Sequence, residues 1–144
     1  MAFELSDDLL KDWTVLVVDD EPDSLLVAKK LLARCGADVV TATNGRQALE
    51  IARDRHPRFI ISDISMPELD GWELIEAIKR DRATAEIPVI ALTAHAMEGD
   101  RAKAIGAGFH NYLSKPLMPE TFVSDLLTLL IDVPEIARDL GQES

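Results

Sequence analysis

Asp19, Asp20 and Glu21 stand side by side at the end of the apolar run Thr14–Val18, directly before Pro22. Adjacent carboxylates repel one another, so this clustering makes sense where a cation is to be held. A third aspartate, Asp63, ends the apolar run Phe59–Ser62. Thr93 ends Val89–Leu92, and Ser114-Lys115-Pro116 follows the pair Tyr112–Leu113. Any one of these residues alone reads most simply as the cap of the next helix. Taken together, three carboxylates, a hydroxyl and an ammonium each sit just past a short apolar run, which points to a shared site. A set of oxygen donors without histidine or cysteine favours Mg²⁺, with Mn²⁺ able to substitute, over zinc. Mg²⁺ takes only one or two carboxylates and fills its shell with water and phosphate oxygens. Asp19 and Asp20 therefore read as metal ligands serving a phosphoryl group. The Lys115 ammonium can neutralise a second phosphoryl oxygen and the Thr93 hydroxyl can donate to a third. An aspartate can itself accept a phosphoryl group, and Asp63, alone at the end of the central run, is the candidate.

The elements that must position these groups alternate between strand and helix. Thr14–Val18, Val39–Thr43, Phe59–Ser62, Val89–Leu92 and a run centred on Tyr112–Leu113 are too short for helices and read as strands. Between them, Leu25, Leu26, Ala28, Leu31 and Leu32 recur at helical spacing from Pro22 to the stop at Gly36. Asn44 can cap a helix with Ala48, Leu49, Ile51 and Ala52 inward. Trp72, Leu74, Ile75 and Ile78 form the next apolar face. A short helix around Asp100–Ile105 closes on Gly106 and Gly108, and Pro119 opens a last helix broken at Pro134. Five strands separated by helices, five helices in all, predict an α/β fold with a doubly wound, buried parallel sheet. In such sheets ligands bind beyond the carboxyl ends of the strands, where the winding direction reverses. Every chemical residue named above falls on that edge.

The chain has 144 residues, 47% of them apolar and 28% charged, as in a soluble globular domain. No run approaches the roughly 18 apolar residues of a membrane span, and the first thirteen residues lack the pattern of a signal peptide. Cys35 is the single cysteine, so no internal disulfide can form, and the expected compartment is the cytoplasm. The net charge of −11 gathers at the ends, leaving no basic stripe, which argues against nucleic acid as a partner. Three units are expected: an acidic N-terminal extension (1–13), solvated over Glu4–Asp12, a central domain (14–131) and a C-terminal tail (132–144), loose over Glu135–Ser144. His56 and His110 read as loop residues, His95 as a loop residue near the site, and Trp72 as core.

The stretches VVDDEPDSLL, ISDISMPELDGWEL, VIALTAHAM and NYLSKPL, in this order and spacing, resemble the receiver domain of two-component response regulators. The likeness covers roughly residues 14 to 131. It implies a flavodoxin-like sheet of strand order 2-1-3-4-5. It also implies roles: Asp63 as phosphoacceptor and as a Mg²⁺ ligand, Asp20 as direct Mg²⁺ ligand, and Asp19 acting largely through the metal's waters. Ser65 would offer its backbone carbonyl to the metal. Thr93 would be the switch hydroxyl, Tyr112 the switch aromatic and Lys115 the phosphate-binding lysine, aimed by a cis Lys115–Pro116 peptide.

The resemblance implies a signalling protein rather than an enzyme, apart from its own phosphorylation and dephosphorylation. The donor would be a sensor histidine kinase or a histidine phosphotransfer protein. Output would pass to a protein partner on the face shared by the fourth helix, fifth strand and fifth helix, with neither nucleic acid nor membrane involved. The TAHAM stretch resembles receivers of hybrid kinases and cell-cycle regulators, which keeps a phosphorelay intermediate open as an alternative. A Mg²⁺-dependent phosphohydrolase with an aspartyl nucleophile is a weaker competitor, because Ser65 stands where such enzymes carry a second aspartate. A non-phosphorylated interaction domain would suit a chain lacking Asp63 or Lys115, and both are present.

Overall fold

The computed structural model describes residues 7–64, 66, 69–94 and 100–140. Five strands, β1 (Thr14–Val18), β2 (Asp38–Ala42), β3 (Phe59–Asp63), β4 (Val89–Thr93) and β5 (Asn111–Ser114), form one parallel sheet in the order β2-β1-β3-β4-β5. Six helices connect and flank them: α1 (Pro22–Arg34), α2 (Gly45–Arg55), α3 (Gly71–Arg80), α4 (Asp100–Ala107), α5 (Phe122–Leu130) and α6 (Pro134–Asp139). This is the doubly wound parallel sheet that the alternation of runs predicts, in the flavodoxin-like order that the resemblance implies.

Strand alternation divides the core in two. Val15, Val17, Phe59, Ile61, Ile90 and Leu92 face Ala28 and Leu32 of α1 and Leu126, Leu127 and Leu130 of α5. Leu16, Val18, Ile60, Val89 and Ala91 face the opposite way, onto α2, α3 and Ala104 of α4. A strand buried on both faces has no polar side to show, which is why these runs read as continuous rather than alternating.

Local signals set the helix ends. The Asn44 side chain accepts from the Gln47 amide and caps α2, as expected. Asp70 and Glu73 form a reciprocal capping box at the start of α3. The last turn of α1 gives way to Gly36 at φ +96, where a Cβ would come within 2.8 Å of the Asp7 carbonyl oxygen.

Three expectations need correction. Among the described residues the helices number six, not five: where a loose tail was expected, α6 forms and buries Ile136 and Ala137. The acidic N-terminal segment is not wholly solvated. Leu10 is fully buried, its amide donates to the Cys35 carbonyl at 2.8 Å, and Trp13 packs edge-on to Phe59 beneath the Arg58 guanidinium. Arg58 also pairs with Asp139 of α6, so it links the segment before β1 to α6 at the amino edge of the sheet. Finally, Pro119 lies in a turn and the regular helix starts only at Phe122. Among the described residues, no helix is long and apolar enough to cross a membrane.

Candidate functional site

The register of the sheet brings the chemical residues together. Val18 lies opposite Ser62, Asp63 opposite Leu92, and Thr93 opposite Ser114. Asp19, Asp63, Thr93 and Lys115 therefore end or follow four adjacent strands at one edge. The crevice lies where β1 is flanked by β2 on one side and β3 on the other, the reversal point at which such folds bind ligands. Two backbone hydrogen bonds aim the flanking loops. The Lys115 amide donates to the Thr93 carbonyl at 2.8 Å, and the Gly71 amide donates to the Ile64 carbonyl at 2.8 Å. Gly71 is required there, because a Cβ would lie 2.6 Å from both the Asp63 carbonyl oxygen and the Ile64 Cα. The Lys115–Pro116 peptide is cis, as the resemblance implied.

Asp19 is fully buried and Asp63 nearly so, while Asp20 and Glu21 are exposed at the mouth. The carboxylates of all four offer oxygens within 4.8 Å of one another. Among the described residues a single ammonium serves them: Lys115 Nζ lies 2.8 Å from Asp19 Oδ2, 2.7 Å from Glu21 Oε1 and 3.5 Å from Asp63 Oδ2. Asp19 Oδ1 accepts from the Glu21 amide at 2.9 Å. Asp19 Oδ2 is buried without an aligned hydrogen-bond donor, its lysine contact being an ion pair only.

This concentration of charge perturbs the groups. Burial, and then the neighbouring Asp19 charge, push the Asp63 carboxyl up from 3.8 to about 6, against the opposing pull of Lys115. Burial works against the Lys115 ammonium, but its contacts with Asp19 and Glu21 and the charge of Asp63 outweigh it, and its pKa is raised. The site is thus over-supplied with negative charge, and Asp19 Oδ2 is buried with only the shared Lys115 ammonium to face. An all-oxygen donor set in that state fits a hard divalent cation.

A cavity of about 450 Å³ opens above these groups and continues between Trp72, Ala104 and Tyr112. Trp72, read from the sequence as core, is half-buried. It packs edge-on to Phe109 under the Lys103 ammonium, and it also walls the cavity. Ser65 and His95 lie outside the described residues. His110 is a loop residue, as read, and its Nε2 lies 2.6 Å from Asp132 Oδ1. The sequence reading gave Glu21 no role beyond membership of the acidic run; its pairing with Lys115 is the main addition from the structure.

The family model of the response regulator receiver domain matches residues 15–127. The chain belongs to that family. Receiver domains are signalling modules of two-component systems, in which they meet histidine kinases or phosphotransfer proteins. The chain is 41% identical over 110 residues to an uncharacterized 14.6 kDa protein of Leptolyngbya boryana, covering 76% of this receiver and 84% of that protein. It is 34% identical to the polar-differentiation response regulator DivK of Brucella ovis, over 83% of this chain and 97% of DivK. Its fold is similar to the receiver domain of a sensor histidine kinase from Pseudomonas aeruginosa, with a TM-score of 0.72 and 29% identity, over 90% of this chain and 98% of that one. That structure has a magnesium ion coordinated in its active site cleft.

Proposed function

We propose that this receiver accepts a phosphoryl group on Asp63 from the phosphohistidine of a sensor kinase or phosphotransfer protein. The observation that carries this reading is the convergence, in one cleft, of buried Asp63 and Asp19 with Lys115, and with Asp20 at the mouth. Asp20 and Asp19, with the backbone carbonyl of Ser65, would hold Mg²⁺, as the magnesium in the Pseudomonas receiver supports. The bound metal supplies positive charge to phosphoryl oxygens.

The rest of the chemistry belongs to the chain. An Asp63 oxygen attacks phosphorus in line as the bond to the donor imidazole breaks, and Lys115 neutralises an equatorial oxygen. The Thr93 hydroxyl, at the end of β4 on the same cavity wall, donates to another. Drawing Thr93 inward frees space beside Tyr112, whose ring borders the same cavity. The face of α4, β5 and α5 then changes shape. Exposed Ile105 on α4 and Met118 before α5 supply apolar surface there for a protein partner. A covalent phosphoryl group shifts such an equilibrium only through its unequal contacts with the two states, and Thr93 provides that inequality.

A cytoplasmic setting with a protein target suits this role. The similarity to a receiver of a sensor kinase favours a second reading, in which the phosphoryl group passes onward to a phosphotransfer histidine. Phosphotransfer from each histidine kinase and phosphotransfer domain of the source cell tests both. Transfer to wild type but not to Asp63→Asn supports the reading, and equal labelling of the two proteins removes it. Return of the label to a histidine protein selects the relay.

A further inference from the structure

Glu21 sits at the N-cap of α1, a position whose side chain commonly accepts from an amide of the first turn. Its side chain makes no such bond. The carboxylate instead reaches across the cleft to a residue 94 positions away and accepts from Lys115 Nζ at 2.7 Å. The Glu21 backbone is meanwhile anchored, because its amide donates to Asp19 Oδ1. The Lys115 side chain is 9% exposed, as is that of Asp63, yet Asp63 Oδ2 is its most distant carboxylate partner, at 3.5 Å. That separation exceeds a normal charge-assisted hydrogen bond. The nearer partner, Glu21, is 61% exposed.

We propose that Glu21 is a positioning residue that holds the Lys115 ammonium off Asp63 until an incoming phosphoryl group displaces it. The proposal rests on Asp63 as acceptor and Lys115 as its charge partner. Asp19 is the pivot: its contact with Lys115 at 2.8 Å can persist while the ammonium swings from Glu21 to a phosphoryl oxygen. The exposed pair is the one that opens most easily, since water takes over both of its charges at little cost. A phosphoryl group on Asp63 carries more negative charge than the Glu21 carboxylate and lies in a drier place, so it wins the competition. Before transfer, the tether keeps the ammonium from pairing with the nucleophile. Release of that tether is one step that the donor must drive.

Initial rates of labelling by acetyl phosphate with Mg²⁺, in the full chain, test the proposal through wild type, Glu21→Gln, Lys115→Ala and the double variant. Glu21→Gln should label roughly three- to fivefold faster, the scale of one partly exposed ion pair, and should change nothing in the Lys115→Ala background. The same acceleration in both backgrounds makes Glu21 a mere negative charge at the mouth and overturns the proposal, as does an unchanged rate in the single variant. Where the Lys115→Ala proteins label too slowly to compare, the lysine ε-methylene NMR signals of the metal-free protein decide. The Lys115 signal should move in Glu21→Gln, and an unmoved signal overturns the tether. This arm does not depend on phosphorylation, so it separates failure of the tether from failure of Asp63 as acceptor.

Discussion

At the scale of single residues, the site is a small excess of buried negative charge awaiting a cation. Asp63 ionises only with difficulty in the metal-free protein because it is buried beside Asp19. The raised value fixes the sign of its pH dependence. Its contribution to stability is fully present below 3.8 and is lost as the pH rises through about 6, because the folded state prefers the protonated form. Metal-free wild type should therefore lose stability relative to Asp63→Asn across that window. Urea unfolding at several pH values checks this, and parallel curves for the two proteins would contradict it. Mg²⁺ bound to the folded state alone should raise the melting temperature, by roughly 2.7 kcal/mol of stability at a hundredfold excess over Kd. Asp20→Ala should remove most of that response. The types of these residues were legible because oxygen donors and one lysine recur beyond apolar runs. The pairing of Glu21 with Lys115 was not, since nothing local marks a contact across 94 positions.

At the scale of elements, the segments that follow β1, β3 and β5 do the positioning, and tight backbone packing holds the start of α3 against the second of them. Gly71 begins α3 hard against the Asp63 carbonyl. Gly71→Ala should displace the β3–α3 loop, destabilise the fold and slow labelling of Asp63. Asp70→Ala removes only the capping box and should cost about 1 kcal/mol with the site intact. Comparing the two by thermal melts and labelling separates loop geometry from helix stability. Thr93→Ala and Tyr112→Ala belong to the switch. Both should weaken the response of the α4–β5–α5 face to a phosphoryl mimic, while Tyr112→Ala still accepts the phosphoryl group. Amide-exchange maps with and without the mimic check this, and changes confined to α1 would place output elsewhere. Strands and helices were legible here because strands buried on both faces are continuous apolar runs and the helices between them are periodic. The start of α5 was misplaced because a proline can open a helix or, as Pro119 does, sit in the turn before one.

At the scale of the whole molecule, the segment before β1 and helix α6 close the sheet edge opposite the site. Leu10, Trp13 and Ile136 join the core cluster of α1 and α5, and Arg58 touches both segments through Trp13 and Asp139. We propose that the folding unit reaches beyond 14–131 to include these segments. Leu10→Ala should then cost roughly 2–5 kcal/mol, as for other buried leucines. Deletion of residues 134–144 should lower the melting temperature without changing the labelling rate at temperatures where the protein remains folded. A frayed end would show neither effect. These packed segments were hard to read because few apolar residues sit among many acids, and six residues of α6 give too little periodicity to distinguish from a tail.

Intact mass and peptide mapping after exposure to acetyl phosphate, with and without Mg²⁺, test the central claim most directly. The account predicts one added phosphoryl group in the presence of Mg²⁺, located on Asp63 and absent from Asp63→Asn. Label on another residue, or equal labelling of a folded Asp63→Asn protein, would contradict it.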